Sequence, residues 1–239
     1  MSSSCSTCAT ALLVAAAVVG TAVPSRSGES YDPAIEPGDF STKIDNPFFA
    51  MPVGKRMSYA GKTEDGLERI EIAITGETRM VMGVETLVYL DRAYLDDELV
   101  EETKDFLAQD RQGNVWYFGE EVDNYEDGKL KDHEGAWMAG TDGAKPGIWI
   151  KAEHKPDDTY RQEYYQGEAE DMVKIVATGE RVTVPAGKFE GCTKTYDWTP
   201  LDPESKEHKY YCPAAGGVVL VEDLTTGDRV ELVKVETGG

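Results

Sequence analysis

From residue 46 onward the hydrophobic pattern alternates with a period of two rather than repeating at helical spacing. In Arg69-Ile-Glu-Ile-Ala-Ile-Thr75, residues Ile70, Ile72 and Ile74 fall on one face, because side chains two apart share a face of an extended chain. Gly76-Glu-Thr78 closes that strand. Met80 to Asp91 reads as the next strand or pair of strands, broken at Met82-Gly83. Asn114-Val-Trp-Tyr-Phe118 is an aromatic strand following the turn-rich Asp110–Asn114. Asp127-Gly128 marks a hairpin, since both residues tolerate the positive φ of a tight two-residue turn. Thr159–Tyr165, Arg181–Val184, Val218–Val221 and Arg229–Val235 continue the series, the last two joined through Thr226-Gly-Asp228. Leu99, Val100, Thr103, Phe106 and Leu107 are spaced as on a helix, but strand neighbours on both sides favour a strand here too. No βαβ alternation and no internal repeat is present. The expected fold is therefore all-β and mainly antiparallel: a single curved sheet or incomplete barrel with few or no helices.

The alternation starts late. The first 22 residues carry no charged side chain, and Ala11–Val19 is almost wholly apolar, too short to span a bilayer but suited to the core of a signal peptide. Residues 1–22 are read as a signal peptide cleaved after Gly20-Thr-Ala22, residues 23–44 as a flexible tether, and residues 45–239 as one β domain. No later segment is apolar enough to span a membrane, so a secreted or periplasmic protein without stable membrane insertion is expected. A net charge of −21 makes nucleic acid and anionic lipid poor partners, while leaving room for cationic ligands or divalent ions.

Cleavage would leave Cys192 and Cys212 as the only cysteines. They sit symmetrically about Asp202 at the ends of two β-rich runs, which favours a disulfide between facing strands over two buried thiols. With that register, Lys194 faces Tyr210, Tyr196 faces His208 and Trp198 faces Lys206, the last as a cation–π contact. On the other face Thr193 meets Tyr211, Thr195 meets Lys209 and Asp197 meets Glu207. Like charges directly across a ladder destabilise it. A slipped register or solvent exposure of the pair is the favoured explanation, and a cation or a side chain such as Lys209 between the two is the third.

Three phrases carry a resemblance. Asn46-Pro-Phe-Phe-Ala-Met-Pro-Val-Gly-Lys-Arg-Met-Ser-Tyr59 resembles the opening of many exported bacterial β-proteins. Val182-Thr-Val-Pro-Ala-Gly-Lys-Phe-Glu-Gly-Cys192 is similar to their recurrent strand–turn–strand, and Tyr210-Tyr-Cys-Pro-Ala-Ala-Gly-Gly-Val218 to their closing turn. Here Cys212 holds a position often occupied by Ala, and Ala214 one often occupied by Gly. The resemblance implies an open, curved antiparallel sheet akin to lipoprotein carriers of the LolA type, and brings no catalytic residue with it.

Candidate chemistry is sparse. A curled sheet with apolar strand faces suits carriage of a small, partly apolar molecule, with Trp116, Phe118, Trp137, Trp149 and Tyr164 as candidate lining. Asp123 to Glu134 partly matches a calcium loop, with Asp123, Asp127 and Glu134 at the first, fifth and twelfth positions. Tyr125 stands where an Asp or Asn is needed, so a plain hairpin turning at Asp127-Gly128 is the favoured reading; no cofactor is expected, with a calcium-stabilised structural or surface-interaction protein as the alternative. His133, His154 and His208 each adjoin a Glu, without ligand spacing. The enzyme reading rests on His133, Glu134, Arg161 and Glu163; no hydrolase, zincin or phosphate-loop motif accompanies them.

Overall fold

The computed structural model describes residues 31–63 and 65–237. The expected signal peptide, with Cys5 and Cys8, lies outside them. The N-terminal segment contributes β1 (Phe40–Ser41), β2 (Asp45–Asn46) and β3 (Phe49–Ala50). The main sheet begins with β4 (Arg56–Lys62), β5 (Leu67–Ala73), β6 (Thr78–Val81), β7 (Val84–Leu95) and β8 (Glu98–Asp110). Then come β9 (Val115–Glu126), β10 (Lys129–Asp132), β11 (Trp137–Met138) and β12 (Lys145–Ile150). The short β13 (Thr159–Arg161) and β14 (Glu163–Tyr164) precede the long β15 (Met172–Val184) and β16 (Gly187–Trp198). The chain ends with β17 (Lys206–Cys212), β18 (Gly217–Asp223) and β19 (Arg229–Glu236). Apart from one 3₁₀ turn at Pro37–Asp39, no helix occurs among the described residues.

The pairing is antiparallel throughout and runs β12–β9–β8–β7–β5–β4–β19–β18–β17–β16–β15–β13. β14, one residue beyond β13, pairs back onto β12, so the sheet curls into a nearly closed barrel. Gly147 makes the seam: a Cβ there would lie 2.2 Å from the Gln162 carbonyl oxygen. Gly119, at φ 126°, does the same for β11, whose Trp137 carbonyl passes 2.5 Å from the position of its missing Cβ. The ambiguous 99–107 segment is strand, and both Met82-Gly83 and Asp127-Gly128 are turns with positive φ at each residue.

Residues 31–44, expected to be tether, are laid against the barrel instead. Phe40 pairs with Asp110 and sets its ring edge-on to Trp116 and Phe118, at 6.0 and 5.4 Å, while Ile44 is buried. These two apolar side chains in a polar run find seats that the composition alone does not reveal. The Asn46-Pro-Phe-Phe phrase then plugs one barrel end. Asn46 donates to the carbonyls of Gly113 and Lys151, and Phe49 stacks on Tyr89 at 5.7 Å. Buried Lys55 donates to the carbonyls of Ala50, Ala215 and Gly216 and so ties the plug to the Pro-Ala-Ala-Gly-Gly turn. Burial pushes its pKa down to about 8.

The Cys192–Cys212 disulfide is formed, and the β16–β17 register follows the symmetric pairing expected, with Asp197 opposite Glu207. Trp198 pairs with Lys206 in the ladder but stacks on Tyr196 at 5.2 Å, and the cation–π contact of this hairpin is that of Lys194 over Tyr210. Aromatic neighbours two apart on one strand face outcompete a flexible lysine at the hairpin end. Closing a loop of this size restricts the unfolded chain. The double variant Cys192→Ala/Cys212→Ala is therefore expected to lose about 2–4 kcal/mol in urea unfolding. An unchanged midpoint would mean that packing alone holds the hairpin.

Candidate functional site

The barrel interior is acidic where an apolar core is the usual expectation. In β5, Glu68 is in phase with Ile70 and Ile72; in β7, Asp91 with Tyr89; in β8, Asp105 with Thr103; all are buried. In β16 and β17 the inward faces are Thr193, Thr195 and Asp197, and Glu207, Lys209 and Tyr211. The register sets Asp105 directly opposite Glu120 and Asp91 opposite Thr103.

The Asp197–Glu207 pair is neither slipped nor solvent-exposed. Both residues are buried, and the Lys209 ammonium lies 2.8 Å from Glu207 and 3.4 Å from Asp197. The third explanation holds, because one buried cation within reach of two carboxylates replaces their repulsion with two attractions. Burial still raises both acids, with Lys209 pulling them down, and the two carboxylates lift the lysine well above its ordinary range.

Glu68, Asp91, Asp105, Glu120 and Glu163 have no ion-pair partner of this kind among the described residues. Among the described residues, neither Glu68 oxygen accepts a hydrogen bond, nor do Asp91 Oδ1 and Asp105 Oδ2. Burial pushes Glu68 up to about 8, and the nearby Glu207 adds to the shift. Asp105 is pushed up to about 7 by burial, although the Tyr117 hydroxyl donates to its Oδ1 at 2.7 Å. Burial also raises Asp171 to about 7, against the pull of Lys209, and lifts Asp91, Glu120 and Glu163 well above the carboxylate range. Mutual repulsion adds to burial throughout this group.

Aromatic rings wall the same space. Tyr117 meets Trp137 and Trp149 edge-on at 5.1 and 5.0 Å, and Trp149 packs on Phe49 and Tyr89. Of the five lining candidates, the structure brings Trp137 and Trp149 together. Trp116 and Phe118 occupy the opposite face of β9, under Phe40, and Trp116 donates to Asp110. Tyr164 lies beneath the Arg161 guanidinium and beside Tyr31. A cleft of about 290 Å³ opens next to the paired aromatics, lined by Glu120, Ala136, Trp137, Met138, Ala144 and Tyr165, with Glu121 and Asp142 also at its wall. Its size is at the small end for ligand sites. Trp137 and Glu120 belong to both the cleft and the interior.

The remaining candidates scatter. His133 lines an adjoining cleft of about 320 Å³ with Glu102, Lys104 and Asp123, the two clefts sharing Glu121 and Ala136, and its Nδ1 lies 2.8 Å from both Val122 O and Asp123 Oδ1. Glu163 belongs instead to the buried acids around Asp105, and Arg161 pairs with Glu170 at 3.7 Å. Asp123 sits within β9, Asp127 in the hairpin turn, and Glu134 beyond β10, where its carbonyl accepts from Asn124. Among the described residues no three His, Cys, Asp or Glu side chains converge as a metal site would require. His154 is held by Thr193 and Lys151 and packs on Phe48, whereas His208 faces Tyr196.

Glu68, Asp91, Asp105 and Glu120 escape sequence reasoning because a charged residue in a strand reads as solvent-facing. Two signals were available: Glu68 is in phase with the Ile70–Ile74 stripe, and Asp197 opposes Glu207. No protein-family model matches the chain, and no curated protein matches it significantly. Among solved structures it is similar to a protein of Parabacteroides distasonis described as a "putative lipoprotein", at 14% identity over 79% of this chain and 98% of that one. The TM-score is 0.43, a likeness too distant to carry function.

Proposed function

We propose that this chain is an exported binding or carrier protein that takes a small, partly apolar molecule at the Trp137 cleft. The observation that carries the reading is the double membership of Trp137. It forms part of the cleft wall and also packs on Tyr117, so a ligand entering beside Met138 and Tyr165 meets an aromatic surface continuous with the interior. Such concave, mostly apolar sites with a few polar groups are the common form of small-molecule pockets. The disulfide fits the oxidising compartments in which exported proteins work. Calcium binding and catalysis have less support, because their candidate residues do not converge.

Native mass spectrometry of protein exported through its own leader tests the proposal. An organic adduct lost on denaturation is expected, and Trp137→Ala should lower its occupancy about tenfold, the usual scale for removing a buried aromatic anchor. The milder Met138→Ala guards against a folding defect and should weaken binding by a smaller factor. Undiminished adduct in both variants would place the ligand elsewhere.

A further inference from the structure

We infer that the molecule taken at the Trp137 cleft is a glycoside, its apolar part lying against Met138 and Tyr165 and its sugar hydroxyls held in the adjoining His133 cleft. The inference rests on the binding reading above and adds the chemical class. Its first support is shape. The two clefts share Glu121 and Ala136, so they form one groove with two unlike halves. The Trp137 half carries the aromatic and methionine side chains, whereas the His133 half sets Glu102, Lys104 and Asp123 beside the imidazole. Each half alone, at about 290 and 320 Å³, is at the small end for ligand sites, and a two-part ligand uses both. Tyr165 and Met138 are half-buried, so each presents part of its surface to an apolar group.

The charges of the polar half are already arranged in pairs. Glu102 accepts from Arg92 Nε at 2.6 Å, Glu121 accepts from Arg79, and Asp123 lies 2.8 Å from His133 Nδ1. A cationic ligand would compete with these partners, and an anionic one would meet the same acids. Hydroxyl groups do neither. Each carboxylate keeps lone pairs beyond its first partner, and a hydroxyl both donates and accepts. Lys104 makes no ion pair among the described residues and stands directly opposite Glu121 in the β8–β9 ladder. A donor and an acceptor therefore lie side by side, where neighbouring hydroxyls of one sugar ring can use both. His133 adds an acceptor: its Nδ1 faces two acceptor oxygens, Val122 O and Asp123 Oδ1, and so carries the proton, which leaves Nε2 a lone pair in the neutral ring.

Isothermal titration calorimetry on the wild-type protein with phenyl β-glucoside, glucose and methoxybenzene separates the two halves. The glucoside should bind about tenfold more tightly than methoxybenzene, the scale of one charge-assisted hydrogen bond, and more tightly than glucose, which lacks the apolar part. In Lys104→Ala/His133→Ala, once its melt shows a folded protein, the glucoside should fall to the affinity of methoxybenzene, which itself should not change. Equal affinity of glucoside and methoxybenzene for the wild type, or a preference that survives in the double variant, would overturn the glycoside assignment and leave the carrier reading standing. Binding of none of the three would overturn it as well, and the native mass spectrum then decides the carrier reading separately: an organic adduct keeps that reading, and no adduct removes it.

Discussion

Lys209→Met is expected to be among the most damaging single substitutions in this protein, lowering stability by about 3–5 kcal/mol at pH 7.5. Lys209 is 3% exposed and stands between two carboxylates that burial already disfavours as ions. Without the ammonium, Asp197 and Glu207 must either face each other as like charges or take up protons. The loss should therefore shrink as the pH falls toward 5, where protonation of the pair becomes easy. The triple variant Lys209→Met/Asp197→Asn/Glu207→Gln should recover much of the stability, because a neutral trio leaves no unpaired buried charge. Urea unfolding of the three proteins at both pH values measures each effect. A loss below 1 kcal/mol for the single variant would show that water reaches the pair.

The second large effect is a fall in stability from mildly acidic to mildly alkaline pH. Glu68 is raised from 4.5 to about 8, and Asp105 and Asp171 from 3.8 to about 7, by burial in each case. A raised carboxyl holds its proton in the folded state at a pH where the unfolded chain has released it. The stability it confers is complete below about 4 and is lost as the pH climbs through 7 to 8. Urea unfolding should report a decline of roughly 3 kcal/mol or more between pH 5 and 8, since each unit of difference is worth about 1.4 kcal/mol. Glu68→Gln should remove part of the slope, gaining about 2 kcal/mol at pH 8 and nothing at pH 4. A flat profile would mean that the interior carboxyls are ionised in the folded state at every pH tested.

How far the chain can be read without its structure varies by element. The β5 stripe, the hairpins at Met82-Gly83 and Asp127-Gly128, the closing β18–β19 pair and the Cys192–Cys212 register all follow from contacts near in sequence. Period-two alternation and turn chemistry are local properties, and a hairpin register follows from its turn. The 99–107 segment was legible for a related reason, since a strand on either side leaves room for a third. The seat of Phe40 was not legible, because its partners Trp116 and Phe118 lie more than seventy residues away.

The candidate site is a harder case. Trp137 and Trp149 were recognisable as large aromatics, but nothing near either one says that it meets Tyr117 while Trp116 and Phe118 face away. A carboxylate in a strand has the same local signature whether it points to water or into a barrel. Only closure of the sheet, made possible at Gly147, turns Glu68, Asp91, Asp105, Glu120 and Glu163 toward one another and away from solvent. The amino-acid sequence by itself determined an antiparallel, disulfide-bonded β protein, because alternation and turns act over a few residues. The tertiary structure alone decided that its interior is acidic, because burial belongs to the closed sheet and to no single strand.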